Sequence, residues 1–257
     1  MDKIKSFDDQ DWKNLVSEFK ERVEKDKKLG IDSVFLPIPE ICPNPKYLLL
    51  GMEPSTPEKD EKTRMNFFPI FLHYCAYKYL GEKGFNYYIS DFAKGAMPPP
   101  DARRTENERY PEWLSLFEKE WKLLGEPEII VMGKTMYDII KIKFNGKFSG
   151  VNKIRGYLYH YDGRGPIYVR KDYDYIINKN PSELNSYNLK EAELREFAEK
   201  LKERLGPRCI LSPAGYEDLI EHSLKRPTER GGIIFPVYSY AFERVSKGEK
   251  ILHYNNR

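Results

Sequence analysis

The residues best placed to do chemistry stand in short loops that follow apolar runs. In Gly51-Met52-Glu53-Pro54-Ser55 a carboxylate precedes a proline directly after Tyr47-Leu48-Leu49-Leu50. A carboxylate in such a loop can position water or stabilise a developing cation, or it can simply cap the helix that follows. Ser90-Asp91 ends a second run, Asn86-Tyr87-Tyr88-Ile89, and brings a second acid. Gly133-Lys134-Thr135 ends a third, Ile129-Ile130-Val131-Met132. This last loop looks like the close of a phosphate-binding loop, but that motif needs a glycine five positions before its Gly-Lys pair, and position 128 is Glu. Gly133 is instead expected to turn the chain from strand into helix. The four histidines, His73, His160, His222 and His253, have no spacing that would hold a metal. His253 is set apart because it follows the apolar pair Ile251-Leu252 and offers a cationic donor at a strand end.

The elements that must position these loops follow from the pattern of apolar residues. Trp12, Leu15, Val16, Phe19 and Val23 recur at helical spacing and predict an N-terminal helix within residues 6–30, closed by Gly30. The three short continuous apolar runs suit strands covered on both faces, as in a parallel sheet. Helical patterns lie between them, at residues 68–80 and at 111–124 with Pro111 in the first turn. Strands alternating with helices imply a parallel sheet with helices on its faces, whose ligands bind beyond the carboxyl ends of the strands. Further on, Tyr157 to Tyr161, Asp162-Gly163-Arg164-Gly165 and Ile167 to Val169 read as a hairpin with a glycine-containing turn. A charged helix is expected at about 188–205 and another around 216–225. Three late apolar runs, Cys209-Ile210-Leu211, 233–237 and Ile251-Leu252, complete the chain. Neither a repeat nor a linker interrupts residues 1–257, so a single domain is expected.

Composition excludes several classes. The 257 residues carry 43 Lys and Arg against 40 Asp and Glu, a net +3 that alone is too weak to announce a nucleic-acid partner. That average hides a segregation. Residues 141–171 hold eight basic residues (Lys141, Lys143, Lys147, Lys153, Arg155, Arg164, Arg170 and Lys171) and one acid, Asp162, a net +7 that leaves −4 on the remainder. Phe144, Phe148, Tyr157, Tyr159, Tyr161 and Tyr168 are interleaved with them. Basic residues among exposed aromatics can grip a nucleic-acid backbone while stacking on bases, whereas a solvated hairpin would turn those rings inward. Cys42, Cys75 and Cys209 are odd in number, form no CxxC pair and read as buried thiols. The start, MDKIKSFDDQDWK, is charged where a signal peptide needs an apolar centre, and no apolar run reaches membrane-spanning length, so a cytoplasmic location without membrane partners is expected. Charged residues form 32% of the chain and Gln10 is its lone glutamine, a composition that leans towards thermophilic proteins.

Taken together, the strand ends resemble the uracil-DNA glycosylase superfamily. Leu48 through Ser55 resembles its first motif, variously GQDPY, GMNPG or GEAPG after a buried strand. Tyr88-Ile89-Ser90-Asp91-Phe92-Ala93-Lys94-Gly95-Ala96-Met97-Pro98-Pro99 is similar to the YITNVVKCRPP segment of the iron–sulfur members. Glu108, Pro111 and Leu114 follow in the family's order, and residues 127–133 resemble its PxxIIxLG strand. The likeness spans about residues 46–142. It implies an α/β fold, a three-layer α/β/α sandwich around a four-stranded parallel sheet, to which this chain adds the basic β-hairpin region 141–171.

The resemblance also implies an activity: removal of a deaminated or damaged base, uracil or a related one, from DNA by base flipping and hydrolysis of the N-glycosidic bond. Glu53 falls where some relatives carry the Asp that assists water attack and others carry Asn, and Gly51, Met52 and Asp91 fall at the base-reading positions. Phe67 or Phe68 lies at about the distance of the ring that stacks on the flipped base. Ser55, Lys94, Lys153, Arg155, Arg164, Arg170 and Ser212 are the expected DNA contacts. The last family motif, His-Pro-Ser, has three partial counterparts, Leu211-Ser212-Pro213-Ala214, Pro236-Val237-Tyr238-Ser239 and His253-Tyr254-Asn255, of which His253 retains the cationic donor. Asp91 replaces the family's base-reading Asn, and when ionised it offers only acceptors to an edge that in uracil presents a donor as well. The cluster-binding cysteines of the iron–sulfur members would fall at Gly95 and about Tyr110, so no iron–sulfur cluster, metal or other cofactor is expected. Two other classes share these residues: a non-catalytic nucleic-acid-binding protein on the same fold, and a hydrolase of free nucleotides.

Overall fold

The computed structural model describes residues 3–30, 33–36, 38–54, 70–80, 84–97, 99–158, 187, 190–206, 217–218, 220–221 and 234–249. At its centre four strands run parallel in the order β3-β2-β5-β6. These are β2 (Tyr47–Gly51), β3 (Tyr87–Asp91), β5 (Glu128–Met132) and β6 (Ile154–Leu158). Two-residue strands β1 (Val34–Phe35) and β4 (Gly95–Ala96) form a small antiparallel pair beside the sheet. Every residue of β2 and β3 is buried, as continuous apolar strands require when helices cover both faces.

The strand order, with the right-handed rule for crossovers between parallel strands, distributes the helices. The chain leaves β2 towards β3 in one direction, then returns past β2 to β5 and on to β6 in the other, which places the intervening helices on opposite faces. One layer holds α1 (Gln10–Lys27), α3 (Pro99–Leu123) and α4 (Lys134–Asp138), the last widening into a π-helical turn at Ile139–Lys143. The other holds α2 (Ile70–Cys75) with its π-helical extension Ala76–Leu80, α5 (Glu191–Leu205) and α6 (Ile234–Ser246). The α/β/α sandwich expected from the sequence is therefore present.

Several expectations are corrected. Tyr157 and Leu158 end β6, the fourth strand of the parallel sheet, paired with Val131 and Met132, a pairing that the sequence reading did not assign to them. A strand's own residues carry no information about its partner, and the Asp-Gly-Arg-Gly turn that suggested a hairpin lies outside the described residues, as do Arg164, Arg170 and the rest of that segment. The late apolar run continues into a helix from Ile234, where Phe235, Tyr238, Phe242 and Val245 recur at helical spacing and make the buried stripe of α6. Pro236-Val237-Tyr238-Ser239 is thereby removed as a strand-end motif. Pro111 lies inside α3, which begins twelve residues earlier at Pro99. The turn before this proline is held by the buried side chains of Arg109 and Tyr110, which offsets the amide that proline lacks.

Candidate functional site

The direction of the chain reverses between β2 and β5, so the crevice at the carboxyl ends of these strands is the topological switch point where ligands of parallel sheets bind. Gly51 pairs with Asp91 at the strand ends, and the pairing continues into the loops: Phe92 N–H donates to the Gly51 carbonyl at 2.9 Å and Ala93 N–H to that of Met52 at 3.0 Å. The Glu53 loop and the Asp91 loop are thus joined by backbone bonds. On the other side Gly133 has φ of 104°, a left-handed conformation that suits glycine, and its N–H donates to the Leu158 carbonyl at 2.7 Å.

Glu53 is held from α3. Its Oε2 accepts from Arg109 Nη2 at 2.7 Å and its Oε1 from the Tyr110 hydroxyl at 3.3 Å, and the side chain is 6% exposed. Capping of a following helix falls outside the described residues; the observed partner is a helix from elsewhere in the chain. Arg109 is fully buried, its Nε donates to Thr105 Oγ1 at 2.9 Å, and its Nη1 lies 3.7 Å from Asp26 Oδ2 on α1. Asp26 in turn accepts from Arg22 at 2.5 Å and from the Trp113 indole at 2.9 Å. A chain of charges, Arg22, Asp26, Arg109, Glu53, runs from α1 through α3 to the crevice. Burial raises the proton affinity of Glu53 above the ordinary carboxyl range, and Arg109 and Tyr110 oppose that rise. A carboxyl in this balance can remain ionised to orient water and still take up a proton, which suits acid–base chemistry.

Asp91 is buried, Met52 is half-buried, and Gly51 lies within the sheet. Lys94, expected to contact DNA, is instead buried in the core. Its Nζ donates to Glu120 Oε2 at 2.7 Å, to Ser90 Oγ at 2.8 Å and to the Asp91 carbonyl, while Ser90 Oγ donates to Glu120 Oε1 at 2.9 Å. With both ions at 0% exposure, Lys94 fastens the loop after β3 to α3 and has no route to phosphate.

The basic run is not one face. Lys143 reaches Asn107 at 2.6 Å and Glu106 at 3.5 Å, near Tyr110 and hence on the Glu53 side. Arg155 is the unpaired residue where the register of β5 and β6 shifts, and it grips Glu128, the first residue of β5, at 2.5 and 2.8 Å. Arg155 and the exposed Lys153 before β6 therefore sit at the opposite end of the strands from Glu53. The rings of Phe144, Phe148 and Tyr157 turn inward, Phe144 stacking on Phe92 and Phe148 packing against Phe117 and Trp121. In this described half the aromatics belong to the core and offer no stacking platform.

His253, Phe67, Phe68, Ser55 and Ser212 lie outside the described residues. Gly95 is packed so closely under Ser33 Oγ that a side chain there would collide with it, and Tyr110 is buried against Phe92, so the two positions matching cluster cysteines carry core packing. Among the described residues no group of His, Cys, Asp and Glu could hold a metal ion, and no helix is long and apolar enough to cross a membrane. The sequence reading missed Asp26, Arg109 and Glu120, although each continues the apolar stripe of its helix. No protein-family description, curated protein or solved structure matches this chain.

Proposed function

We propose that this protein is a DNA glycosylase-like hydrolase that flips a deaminated or damaged base, uracil or a related one, out of DNA and hydrolyses its N-glycosidic bond. The observation that carries this reading is the Glu53 carboxyl at the switch-point crevice, raised in proton affinity by burial and joined through its loop to Asp91 on the neighbouring strand end. Glu53 orients water towards the sugar carbon, the carbon–nitrogen bond breaks, and the base leaves with a proton. The resemblance supplies the remaining parts: Phe67 or Phe68 stacks on the flipped base, Asp91 reads its edge, and His253 stabilises the departing base. Ser55, Ser212, Arg164 and Arg170 hold the backbone. The reaction requires no cofactor.

Oligonucleotides carrying uracil, hypoxanthine or xanthine test this directly through alkali-labile abasic sites. Release from one of them, reduced about 10²- to 10⁴-fold in Glu53→Gln, is expected. Absence of release from all three removes the reading. One observation favours a second reading, a non-catalytic nucleic-acid-binding protein: the Glu53 carboxylate is engaged by Arg109 and only 6% exposed. That reading predicts DNA binding whose affinity falls steeply with salt and weakens on neutralising Arg164 and Arg170, with no base released.

A further inference from the structure

We propose that Arg109 is a positioning residue shared by two carboxylates, and that its guanidinium passes from Glu53 to Asp26 when Glu53 turns to substrate; this rests on the hydrolase reading above. Arg109 and Tyr110 each hold one oxygen of Glu53, so for that carboxyl to turn towards substrate the Arg109 bond has to give way. A guanidinium does not lose its proton, and Arg109 is fully buried, so it cannot be left without a counter-ion. The structure holds a replacement in waiting. Asp26, also fully buried, lies 3.7 Å from Arg109 Nη1, beyond hydrogen-bond distance. Among the described residues that same Nη1 has no hydrogen-bond partner, whereas Nη2 and Nε are both engaged. A small rotation of the guanidinium closes the 3.7 Å gap and opens the bond to Glu53.

Asp26 is prepared to receive it. Its Oδ2 already accepts from Trp113 and its Oδ1 from Arg22, so its position is fixed while one lone pair is left to take Nη1. Around Glu53 the charged and titratable groups among the described residues are Arg109, Tyr110, Asp26 and Glu106, with Lys143 beyond, 3.5 Å from Glu106 and 5.9 Å from the Tyr110 ring centroid. Tyr110 stays with Glu53 as the guanidinium leaves and so keeps the freed carboxyl oriented.

The experiment is a double-mutant cycle of Glu53→Gln and Asp26→Asn followed by thermal unfolding, paired with a crystal structure of Glu53→Gln. If one guanidinium serves both acids, either single change leaves Arg109 an alternative and the double change leaves it none. The double variant should then lose about 3 °C or more of Tm beyond the sum of the singles. In the Glu53→Gln crystal, Arg109 Nη1 should stand within hydrogen-bond distance of Asp26. Additive losses, or an Arg109 that remains beside position 53, overturn the proposal. Should Asp26→Asn fail to fold, Arg22→Gln takes its place: with its other cation gone, Asp26 draws Arg109 away, and the Glu53 carboxyl carbon titrates at higher pH by NMR. An unchanged titration overturns the proposal. None of these measurements reads base release, so an additive cycle in a protein that does release base sinks the handover alone.

Discussion

Two buried ion clusters tie strand-end loops to α3, Lys94 after β3 to Glu120 and Glu53 after β2 to Arg109, and they are built to different standards. In the Lys94–Glu120 cluster both ions are wholly buried, the ammonium has three acceptors, and Ser90 bonds to both partners. In the Glu53–Arg109–Asp26 cluster one guanidinium faces two carboxylates at unequal distances, 2.7 and 3.7 Å, and one of its nitrogens has no hydrogen bond among the described residues. Burial of an ion is costly unless its hydrogen-bonding capacity is filled. The first cluster meets that condition and therefore acts as a rivet. The second does not, and it is the one that opens on the crevice. Incomplete satisfaction of a buried group beside the crevice is what a change of partners by Arg109, as proposed, would account for.

The most severe way to break this contrast is to remove one cation from each cluster. Lys94→Met leaves Glu120 buried with only Ser90, and a stability loss of about 3–5 kcal/mol is expected, near 10 °C in Tm. The double variant Lys94→Met, Glu120→Leu should recover most of it. Arg109→Met should cost less, because Asp26 keeps Arg22 and Glu53, at the crevice edge, can take up a proton. If thermal unfolding shows equal losses for Lys94→Met and Arg109→Met, the two clusters are of one kind and the contrast fails.

How much of this was legible in the sequence depends on what each residue's pattern encodes. The runs 47–50, 86–89 and 129–132 gave three of the four parallel strands because double burial leaves an unbroken apolar stretch. The fourth, Ile154–Leu158, carries an exposed Arg155 at a register shift, and the sequence pattern marks only its last two residues, as the start of a run from Tyr157 to Tyr161. The loops at Glu53, Asp91 and Gly133 were found because strand ends are local features. The ion clusters were not, since Lys94 meets Glu120 across 26 positions and Glu53 meets Arg109 across 56. A signal was nevertheless present. Asp26 continues the stripe of Trp12, Leu15, Phe19 and Val23, and Arg109 and Glu120 fall on the stripe of Trp113 and Phe117, all of them buried. A charge at a periodic apolar position must have a partner, and that inference needs no structure.

A milder test uses pH, with a buried group on the opposite face of the sheet as the reference. His73 lies fully buried beside the Tyr87 hydroxyl at 3.3 Å, and burial pushes its pKa down from 6.5 to about 3. The unfolded chain protonates first, so the stability that neutral His73 contributes is whole above pH 6.5 and declines as pH falls towards 3, by up to about 1.4 kcal/mol per pH unit. Glu53 has the opposite sign: burial raises it, the folded protein holds that proton more tightly, and its contribution declines as pH rises above 4.5. Urea unfolding between pH 4.5 and 7 should show an acid-side loss that His73→Gln flattens and Glu53→Gln steepens. A Glu53→Gln protein whose acid limb matches wild type would mean that Arg109 fully compensates the carboxylate, and the cluster would then be as closed as its neighbour.

The smallest effects come from trimming one hydroxyl in each cluster. Ser90→Ala removes a donor from Glu120 and an acceptor from Lys94, two partners at 0% exposure that have no water to turn to. A loss of about 1–3 kcal/mol is expected in urea unfolding. Tyr110→Phe removes only the longer, 3.3 Å bond to Glu53 Oε1 and keeps the ring packed against Phe92, so about 0.5–1.5 kcal/mol is expected. It should also leave a spectroscopic trace that Ser90→Ala does not. The Tyr110 bond lowers the proton affinity of Glu53, so without it the Glu53 carboxyl carbon should titrate at higher pH by NMR. A Tyr110→Phe protein that loses as much stability as Ser90→Ala, with Glu53 titrating as before, would place Tyr110 in the rivet's class and leave Glu53 without the partner that keeps it aimed once Arg109 has moved.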